Sequence, residues 1–248
     1  MLTGASNRAR NRDFGCIRGS AGYSSVNMMK RLAAMLPNSW QHELRRRHFQ
    51  REIRRGRFYT DEKEYGLLDT LLAQGDWALD IGANVGHYTM RMAELVGPSG
   101  RVIALEPVPD TFSLLAANAR LFSHANVSLL NVAASDRVAV AGKQIPQFTS
   151  GLSNYYQAHL STGPGGLAVL TLPIDELTLP PVRLVKMDVE GHELSALRGM
   201  RELLARDHPV LIVETSSQES MAFLASHDYA VERLTGSSNL LCRPRTTR

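Results

Sequence analysis

The chain has 248 residues and a formal net charge of +4, with 44% hydrophobic and 21% charged residues. This length accommodates one α/β domain with a full core and an extension, and no run approaches the roughly 18 apolar residues of a membrane span. The first residues lack the apolar core of a signal peptide. Cys16 and Cys242 stand near opposite ends, which excludes a disulfide framework and a cysteine metal site. We therefore expect a cytoplasmic protein.

The first part of the chain is polar and then strongly basic. Residues 1–27, rich in Gly, Ser and Asn, are predicted to be disordered, and residues 28–60 to form a basic helical extension with a helix at 39–56. Within it, residues 41–57 hold seven arginines against Glu43 and Glu52. Such a run is typical of a solvated helix face, or of a surface that contacts nucleic acid, an acidic partner or a peripheral membrane surface.

Residues 61–248 are predicted to form a single domain in which strands and helices alternate. After an amphipathic helix at 61–73, we expect strands at 77–81, 101–105, 127–132, 182–187 and 209–213, helices at 86–96, 110–122, 191–205 and 216–226, and a terminal hairpin at 229–234 and 239–243. This alternation predicts an α/β, doubly wound sheet that is mostly parallel with a C-terminal antiparallel hairpin. A ligand of such a sheet binds beyond the carboxyl ends of its strands.

One segment, 137–181, interrupts the alternation. It combines Gly- and Pro-rich turns, Tyr155, Tyr156 and short strand-like runs such as LAVLTL. We interpret it as an insertion on the substrate side, either a lid or substrate loop or a hairpin extension of the sheet.

A glycine-rich turn follows the first strand, in LDIGANVGHYT. Gly82 and Gly86 allow positive φ and close approach of a ligand to the backbone, and Asn84 is among the few other residues that tolerate the left-handed region. The amides that open the following helix suit an anionic or carboxylate group. Asp80, at the end of the strand, is expected to accept hydrogen bonds from a cationic ligand or to brace the loop.

The second strand ends in Glu106, roughly 20 residues beyond the glycine loop. An acidic residue at this position bonds the ribose hydroxyls of a nucleotide-like ligand, which fits both NAD and S-adenosylmethionine. The glycines at 82 and 86 with Asn84 between them do not match the G-x-G-x-x-G pattern of NAD proteins. The sequence therefore favours the methyl donor.

Chemically versatile side chains cluster after the strand at 182–187, in KMDVEGHE. Three carboxylates, a lysine and a histidine within eight positions are costly to place for stability alone. Asp188 and Glu190 share one side if the strand continues that far, and Glu214, at the end of the neighbouring strand, is expected to lie near them. The alternative is structural: Glu193 caps a helix and His192 lies on the surface.

Taken in order, several segments resemble the FkbM-type S-adenosylmethionine-dependent methyltransferases over roughly residues 60–215: LDIGANVGHYT, VIALEPVPDTFSLLAANARL, NVSLLNVAASD, TLPIDEL and LVKMDVEGHELSALRGM. The resemblance implies a class I, Rossmann-like methyltransferase fold and O-methylation of a hydroxyl on a glycan or secondary metabolite. It also implies that Glu106 holds the cofactor's ribose and that Ser135 and Asp136 flank its adenine. The methionine part would be held by Asp80, Gly82, Asn84 and Gly86.

The same resemblance places Asp188 facing the methyl group and the acceptor. Asp188 is the first candidate for the base that takes the hydroxyl proton, with His192 second and Glu190 beside them. A divalent metal on Asp188, Glu190 or Glu214 is an alternative way to lower the hydroxyl's pKa. The loop at 150–153 resembles the family's serine-containing loop, although Asn154 departs from the common second serine.

Two other functions remain open at this stage. The arginine run on the same cofactor fold would suit an RNA methyltransferase, although no RNA-binding motif accompanies it. A non-catalytic nucleotide-binding protein is the second, and the intact cofactor positions and Asp188 disfavour it. A small-molecule or glycan hydroxyl acceptor is the expected partner.

Overall fold

The computed structural model describes residues 36–144, 159–161 and 167–245 of the chain. The predicted disordered segment 1–27, the loop at 150–153, Asn154 and the two tyrosines Tyr155 and Tyr156 lie outside the described residues.

Helices and strands alternate through most of the described chain. The helices are α1 (Asn38–Arg54), α2 (Leu68–Leu71), α3 (His87–Val96), α4 (Pro109–Ala119), α5 (Glu193–Arg198), α6 (Arg201–Asp207) and α7 (Gln218–Ser226), with 3-10 turns at Lys63–Leu67 and Ile174–Glu176. The strands are β1 (Trp77–Ile81), β2 (Arg101–Leu105), β3 (Val127–Leu130), β4 (Ala133–Ala134), β5 (Ala139–Gln144), β6 (His159–Ser161), β7 (Leu167–Leu172), β8 (Val182–Met187), β9 (Val210–Glu214), β10 (Tyr229–Arg233) and β11 (Asn239–Pro244).

Seven of these strands form the central sheet, in the order β10-β11-β9-β8-β1-β2-β3. The five strands from β9 to β3 are parallel, whereas β11 runs antiparallel to both β9 and β10. The chain winds outward from β1 in both directions, so the order reverses between β1 and β8. This confirms the predicted doubly wound sheet with its antiparallel hairpin, and a ligand crevice is expected at the reversal point.

The sheet buries both of its faces, as its continuous apolar strands predict. Successive residues of β1 alternate between the two layers: Leu79 and Ile81 pack in one buried cluster with Val185 and Met187, and Ala78 packs in the other. The alternation places the side chain of Asp80 on the second side, where it is buried. The position of Asp80 in the protein is therefore fixed by the pleat of β1.

The described strands of the 137–181 insertion join β4, which precedes it, in a second, small sheet with the order β4-β7-β5-β6. It does not extend the central sheet as a hairpin would. Val140 and Leu170 are exposed on it, and Ser135 and Asp136 lie between its strands β4 and β5.

Two helices differ from the sequence predictions. The predicted helix at 61–73 is instead a 3-10 turn followed by the single turn α2. Its residues are held by the terminal hairpin, since Lys63 Nζ donates to the carbonyl of Thr235 (2.5 Å) and Asn239 donates to the buried carboxylate of Glu64. These long-range bonds outweigh the local preference for a continuous helix.

The predicted helix at 191–205 begins at Glu193 and is broken between α5 and α6. A Cβ added to Gly199 would lie 1.8 Å from the carbonyl oxygen of Ser135, and the amide of Asp175 donates to the carbonyl of Gly199 over 3.0 Å. The break therefore lets three segments meet at a point where no side chain fits.

We expect Gly199→Ala to destabilise the protein by about 1–3 kcal/mol, because the added carbon would meet backbone atoms that can move only if the surrounding structure is distorted. Gly66→Ala is the control, since a Cβ at Gly66 meets nothing within 4 Å. Urea unfolding of both variants measures the difference. Equal stability of the two would contradict the packing described here.

Candidate active site

The loop between β1 and α3 has the conformation that its residues predict. Gly82, Asn84 and Gly86 all have positive φ, at 81°, 50° and 100°, which confirms the expectation that Asn84 adopts the left-handed region. The amides of Gly82 and Ala83 both donate to the carbonyl of Leu105 at 2.9 Å. These bonds tie the start of the loop to the end of β2.

Gly82 follows β1 at a point where the backbone that continues from β8 passes very close to it. A Cβ at Gly82 would lie 1.8 Å from the carbonyl oxygen of Asp188, and the amide of Asp188 donates to the carbonyl of Ile81 at 2.9 Å. No larger residue than glycine fits between these backbones. The glycine loop and the candidate base therefore lie directly against each other.

Glu106 supports the same loop from β2. Its Oε2 accepts from the amide of Asn84 (3.0 Å) and its Oε1 from the amide of Val108 (2.9 Å), and the residue is buried. The carboxylate thus holds the loop in shape and lies at the strand end where a ribose would be bound. The sequence predicted the position of this residue but not its bonds to the two amides.

Asp80 is a buried carboxylate beside a buried lysine. Burial raises the pKa of Asp80 to about 6, although the hydroxyl of Thr89, which donates to its Oδ2, and the charge of Lys186 both lower it. Asp80 and Lys186 are register partners in the β1–β8 pair. The sequence analysis did not predict that Thr89 bonds Asp80. The position of Thr89 in the first turn of α3, close to the end of β1, could have indicated this bond.

Lys186 connects the two sides of the site. Its side chain is only 3% exposed. Its Nζ lies 3.9 Å from Asp188 Oδ2 and 5.1 Å from the centre of the Tyr88 ring. The Tyr88 hydroxyl in turn donates to Glu62 at 2.8 Å. Burying an ammonium group is costly unless charges and π faces compensate it. Tyr88 and Glu62 therefore belong to the site's electrostatic surroundings, which the sequence analysis missed.

Asp188 and Glu214 lie at the ends of β8 and β9, as predicted, and their carboxyl groups interact, since Glu214 raises the pKa of Asp188. Burial raises the pKa of Asp188 well above its ordinary value; Lys186 opposes this shift, and the charges of Glu214 and Glu190 add to it. Neighbouring carboxyl groups disfavour ionisation of both, so the pKa of one of them is raised. With 30% of its side chain exposed, Asp188 can still exchange a proton with a ligand or with water.

The remaining candidates are arranged differently from the sequence hypotheses. Because β8 ends at Met187, Glu190 does not continue the strand; it has a φ of 49° and is exposed. His192 Nε2 lies 3.0 Å from Ser135 Oγ, whose hydroxyl also donates to Asp136 (3.4 Å). The candidate second base is thus in contact with the residues expected to flank an adenine.

Glu193 is the first residue of α5, and its carboxylate braces the preceding turn. It is buried, Gly191 donates its amide to Oε1 (2.8 Å), and Thr215 donates its hydroxyl to Oε2 (3.4 Å). These bonds hold the turn before α5 against the segment after β9.

A cleft of about 580 Å³ opens beside Asp188 and between the ends of β8 and β9. Its lining has one arginine, Arg233, and several acids and serines: Asp188, Glu190, Glu193, Glu214, Glu219, Ser195, Ser216, Ser217, Ser220 and Ser238. Within the described residues, no three His, Cys, Asp or Glu side chains are grouped so as to hold a metal ion. No helix among those residues is long and apolar enough to cross a membrane.

The fold and site define an α/β protein with a glycine loop and acidic residues at the reversal point of its sheet. The family model described as "Methyltransferase FkbM domain" matches residues 80–234. This is more than half of the chain, and the chain belongs to that family. The match confirms the resemblance found in the sequence.

Curated relatives match shorter stretches. A hexuronic acid methyltransferase, AglP, from Haloferax volcanii is 29% identical over 143 residues, which cover 56% of each chain. A protein-L-isoaspartate O-methyltransferase from Methanothrix thermoacetophila is 38% identical over 64 residues, 26% of this chain and 30% of that one. The chain spans about half or less of the length of these relatives.

Two solved structures share the fold. One is a methyltransferase FkbM from Methylobacillus flagellatus, with a TM-score of 0.50 and 17% identity, covering 71% of this chain and 47% of that one. The other is a SAM-dependent O-methyltransferase from Thermotoga maritima, with a TM-score of 0.50 and 14% identity, covering 76% and 67%. At these identities the likeness shows the fold alone, and it confirms the class I, Rossmann-like architecture.

The buried Asp80 predicts a particular pH dependence of stability. Since its pKa is about 6 in the folded protein against 3.8 for an ordinary aspartate, the folded state binds more protons between these pH values, and stability falls as pH rises through that window. Asp80→Asn removes this loss. The effect of the substitution on the free energy of unfolding should therefore be more favourable at pH 8 than at pH 4, by on the order of 3 kcal/mol.

Urea unfolding of the wild type and of Asp80→Asn at several pH values measures this difference. The exposed Asp61→Asn is the control and should leave the pH dependence unchanged. If Asp80→Asn has the same effect on stability at pH 4 and pH 8, Asp80 is not the buried, destabilised carboxylate described above.

Proposed function

We propose that this chain is an S-adenosylmethionine-dependent methyltransferase that methylates a hydroxyl group on a glycan or secondary-metabolite acceptor. The observation that carries the proposal is the close packing of the Asp188 backbone against Gly82, together with the place of Asp188 in the lining of the acidic cleft. On this proposal, the carboxylate of Asp188 lies between the glycine loop, where the family's methyl donor would bind, and an open space for an acceptor. Membership of the FkbM methyltransferase family supports a methyl group as the group that is transferred.

The residues around the loop fit S-adenosylmethionine. Gly82 and Gly86 give the loop the positive φ that its turns need, and Asp80 is a buried carboxylate suited to a cationic amino acid group. Glu106, at the end of β2, would receive the ribose hydroxyls, and Ser135 with Asp136 would flank the adenine. When bound, the cofactor supplies an activated methyl group on a sulfonium, so the protein needs chiefly to position the acceptor oxygen and remove its proton.

Asp188 is the residue that we assign to proton removal. Burial raises its pKa to about 8, so in its ionised form it is a stronger general base than an ordinary aspartate. The proton of the acceptor hydroxyl would pass to its carboxylate oxygen. Lys186, 3.9 Å away, limits the rise in pKa and orients the group. His192, which contacts Ser135, is the second candidate and Glu190 the third.

The negative charge of the cleft limits the charge that an acceptor can carry. Five carboxylates and one arginine line it, a surface that repels phosphates and disfavours an RNA substrate. The same charge disfavours a free carboxylate on the acceptor. Hexuronic acid is the substrate in the name of the Haloferax relative; for this chain we propose the hydroxyl of a neutral or cationic acceptor of the same polyhydroxylated kind.

Calorimetry tests the cofactor assignment. S-adenosylmethionine and S-adenosylhomocysteine should bind the full chain, and NAD should not. Glu106→Ala should weaken binding by about 1–3 kcal/mol, the cost of leaving polar partners without their hydrogen bonds, while Glu232→Ala, an exposed residue of β10, should have no effect. Binding of NAD alone would contradict the assignment.

Turnover tests the chemistry, measured as release of S-adenosylhomocysteine with a panel of neutral sugars and glycosides as acceptors. Asp188→Asn keeps the size of the side chain and removes its basicity, so turnover should fall about 100- to 10,000-fold with a much smaller change in cofactor affinity. A chelator should leave the wild-type rate unchanged if Asp188 acts as a base, and abolish it if a metal lowers the hydroxyl's pKa.

Glu214→Gln is the matched variant, because it removes the charge that raises the pKa of Asp188. It should shift the acid limb of the pH–rate profile to lower pH and retain far more activity than Asp188→Asn. If Asp188→Asn keeps near-normal turnover on an acceptor that the wild type uses, Asp188 is not the base. Either His192 would then be the base, or the protein would act by positioning the acceptor alone.

A further inference from the structure

The basic helix α1 presents two opposite faces. Phe49 lies on one of them, packs edge-on against Phe58 with ring centres 5.9 Å apart, and belongs to a buried cluster with Val85 and Leu114. Phe58 is stacked on His87 at 4.1 Å. Burial lowers the pKa of His87 to about 4, so this ring is neutral and packs as an apolar group. The helix is therefore fixed to the protein next to the glycine loop.

The other face of α1 is exposed over its whole length. Trp40 is 65% exposed, Leu44 49% and the Arg47 side chain 63%. With about 100° per residue, the exposed positions of α1 from Trp40 onward fall within an arc of about 120° opposite Phe49: Trp40, Leu44, Arg47, His48, Arg51 and Arg54. We call this arc the α1 stripe. It begins with two large apolar side chains and ends in arginines.

From this arrangement we propose that the α1 stripe binds the surface of a membrane that contains anionic lipids. A tryptophan and a leucine one turn apart suit the interfacial region, where an aromatic ring lies at the level of the headgroups. Arginines on the same arc suit the anionic headgroups. The helix lies flat on such a surface because its opposite face is held by the protein.

Local ion pairs leave the stripe cationic. Glu43 pairs with Arg46 and Arg47, and Glu52 pairs with Arg57 at 3.1 Å. Seven arginines against these two glutamates give residues 38–57 a surplus of five positive charges. Since each arginine near an anionic membrane contributes to binding and salt screens the attraction, the association should weaken steeply as ionic strength rises.

The choice of a membrane over nucleic acid rests on the position of the apolar residues. Trp40 and Leu44 occupy one end of the stripe and the exposed arginines follow toward the other, whereas single-stranded nucleic acid is bound by aromatic rings interleaved with basic residues along a groove. A convex helix face has no such groove. The site in the acidic cleft plays no part in this proposal, so it stands or falls independently of the proposed function.

Vesicle sedimentation with the full chain tests the proposal. The protein should bind vesicles of phosphatidylcholine mixed with phosphatidylglycerol, should not bind phosphatidylcholine alone, and should be released by high salt. Arg51→Gln with Arg54→Gln should weaken binding on the order of tenfold. Arg183→Gln with Arg201→Gln removes the same charge from exposed positions elsewhere and should bind as the wild type does.

Fluorescence adds a readout that places Trp40 itself in the membrane. The chain has two tryptophans, and Trp77→Phe leaves Trp40 as the sole one. Its emission should shift to the blue on addition of anionic vesicles but not of phosphatidylcholine vesicles. The proposal is overturned if the control arginine pair weakens binding as much as the stripe pair, if Trp40 does not respond, or if the chain binds single-stranded RNA and no vesicles.

Discussion

The backbone contact between Gly82 and Asp188 is the constraint on which the site depends. The carbonyl of Asp188 occupies the space where any other residue at position 82 would carry its Cβ. This contact holds the glycine loop against the end of β8, and the β1–β8 pairing below it sets the register of Asp80 opposite Lys186. One glycine thus fixes the distance between the proposed donor site and the proposed base.

The charges around that contact are balanced against each other. Lys186 is buried between Asp80, Asp188 and the ring of Tyr88, so each carboxylate is partly compensated by the same ammonium group. Neither carboxylate is compensated in full, because burial raises the pKa of both. A site evolved for stability alone would replace such groups with apolar ones. The raised pKa values instead suit groups that bind a cation and accept a proton at neutral pH.

The sequence predicted the parts of this arrangement that depend on neighbouring residues. Apolar runs marked β1, β2 and β8 at their observed bounds, and the left-handed tolerance of Asn84 followed from its side chain. Contacts between distant segments were not predictable in this way: Asn239 bonds Glu64 across 175 positions and His192 meets Ser135 across 57. For the same reason the break at Gly199 was missed, since it reflects the carbonyl of Ser135 and not the local helical pattern.

Net charge illustrates the limit of composition. The value of +4 for the whole chain averages a cationic helix and an acidic cleft, which have opposite preferences for a partner. The helix also packs beside the glycine loop, because Phe49 contacts both Phe58 and His87, the first residue of α3. On the two proposals made above, this separation of charge would hold anionic lipid at the helix and away from the cleft, so that membrane binding would not compete with the chemistry of the acceptor.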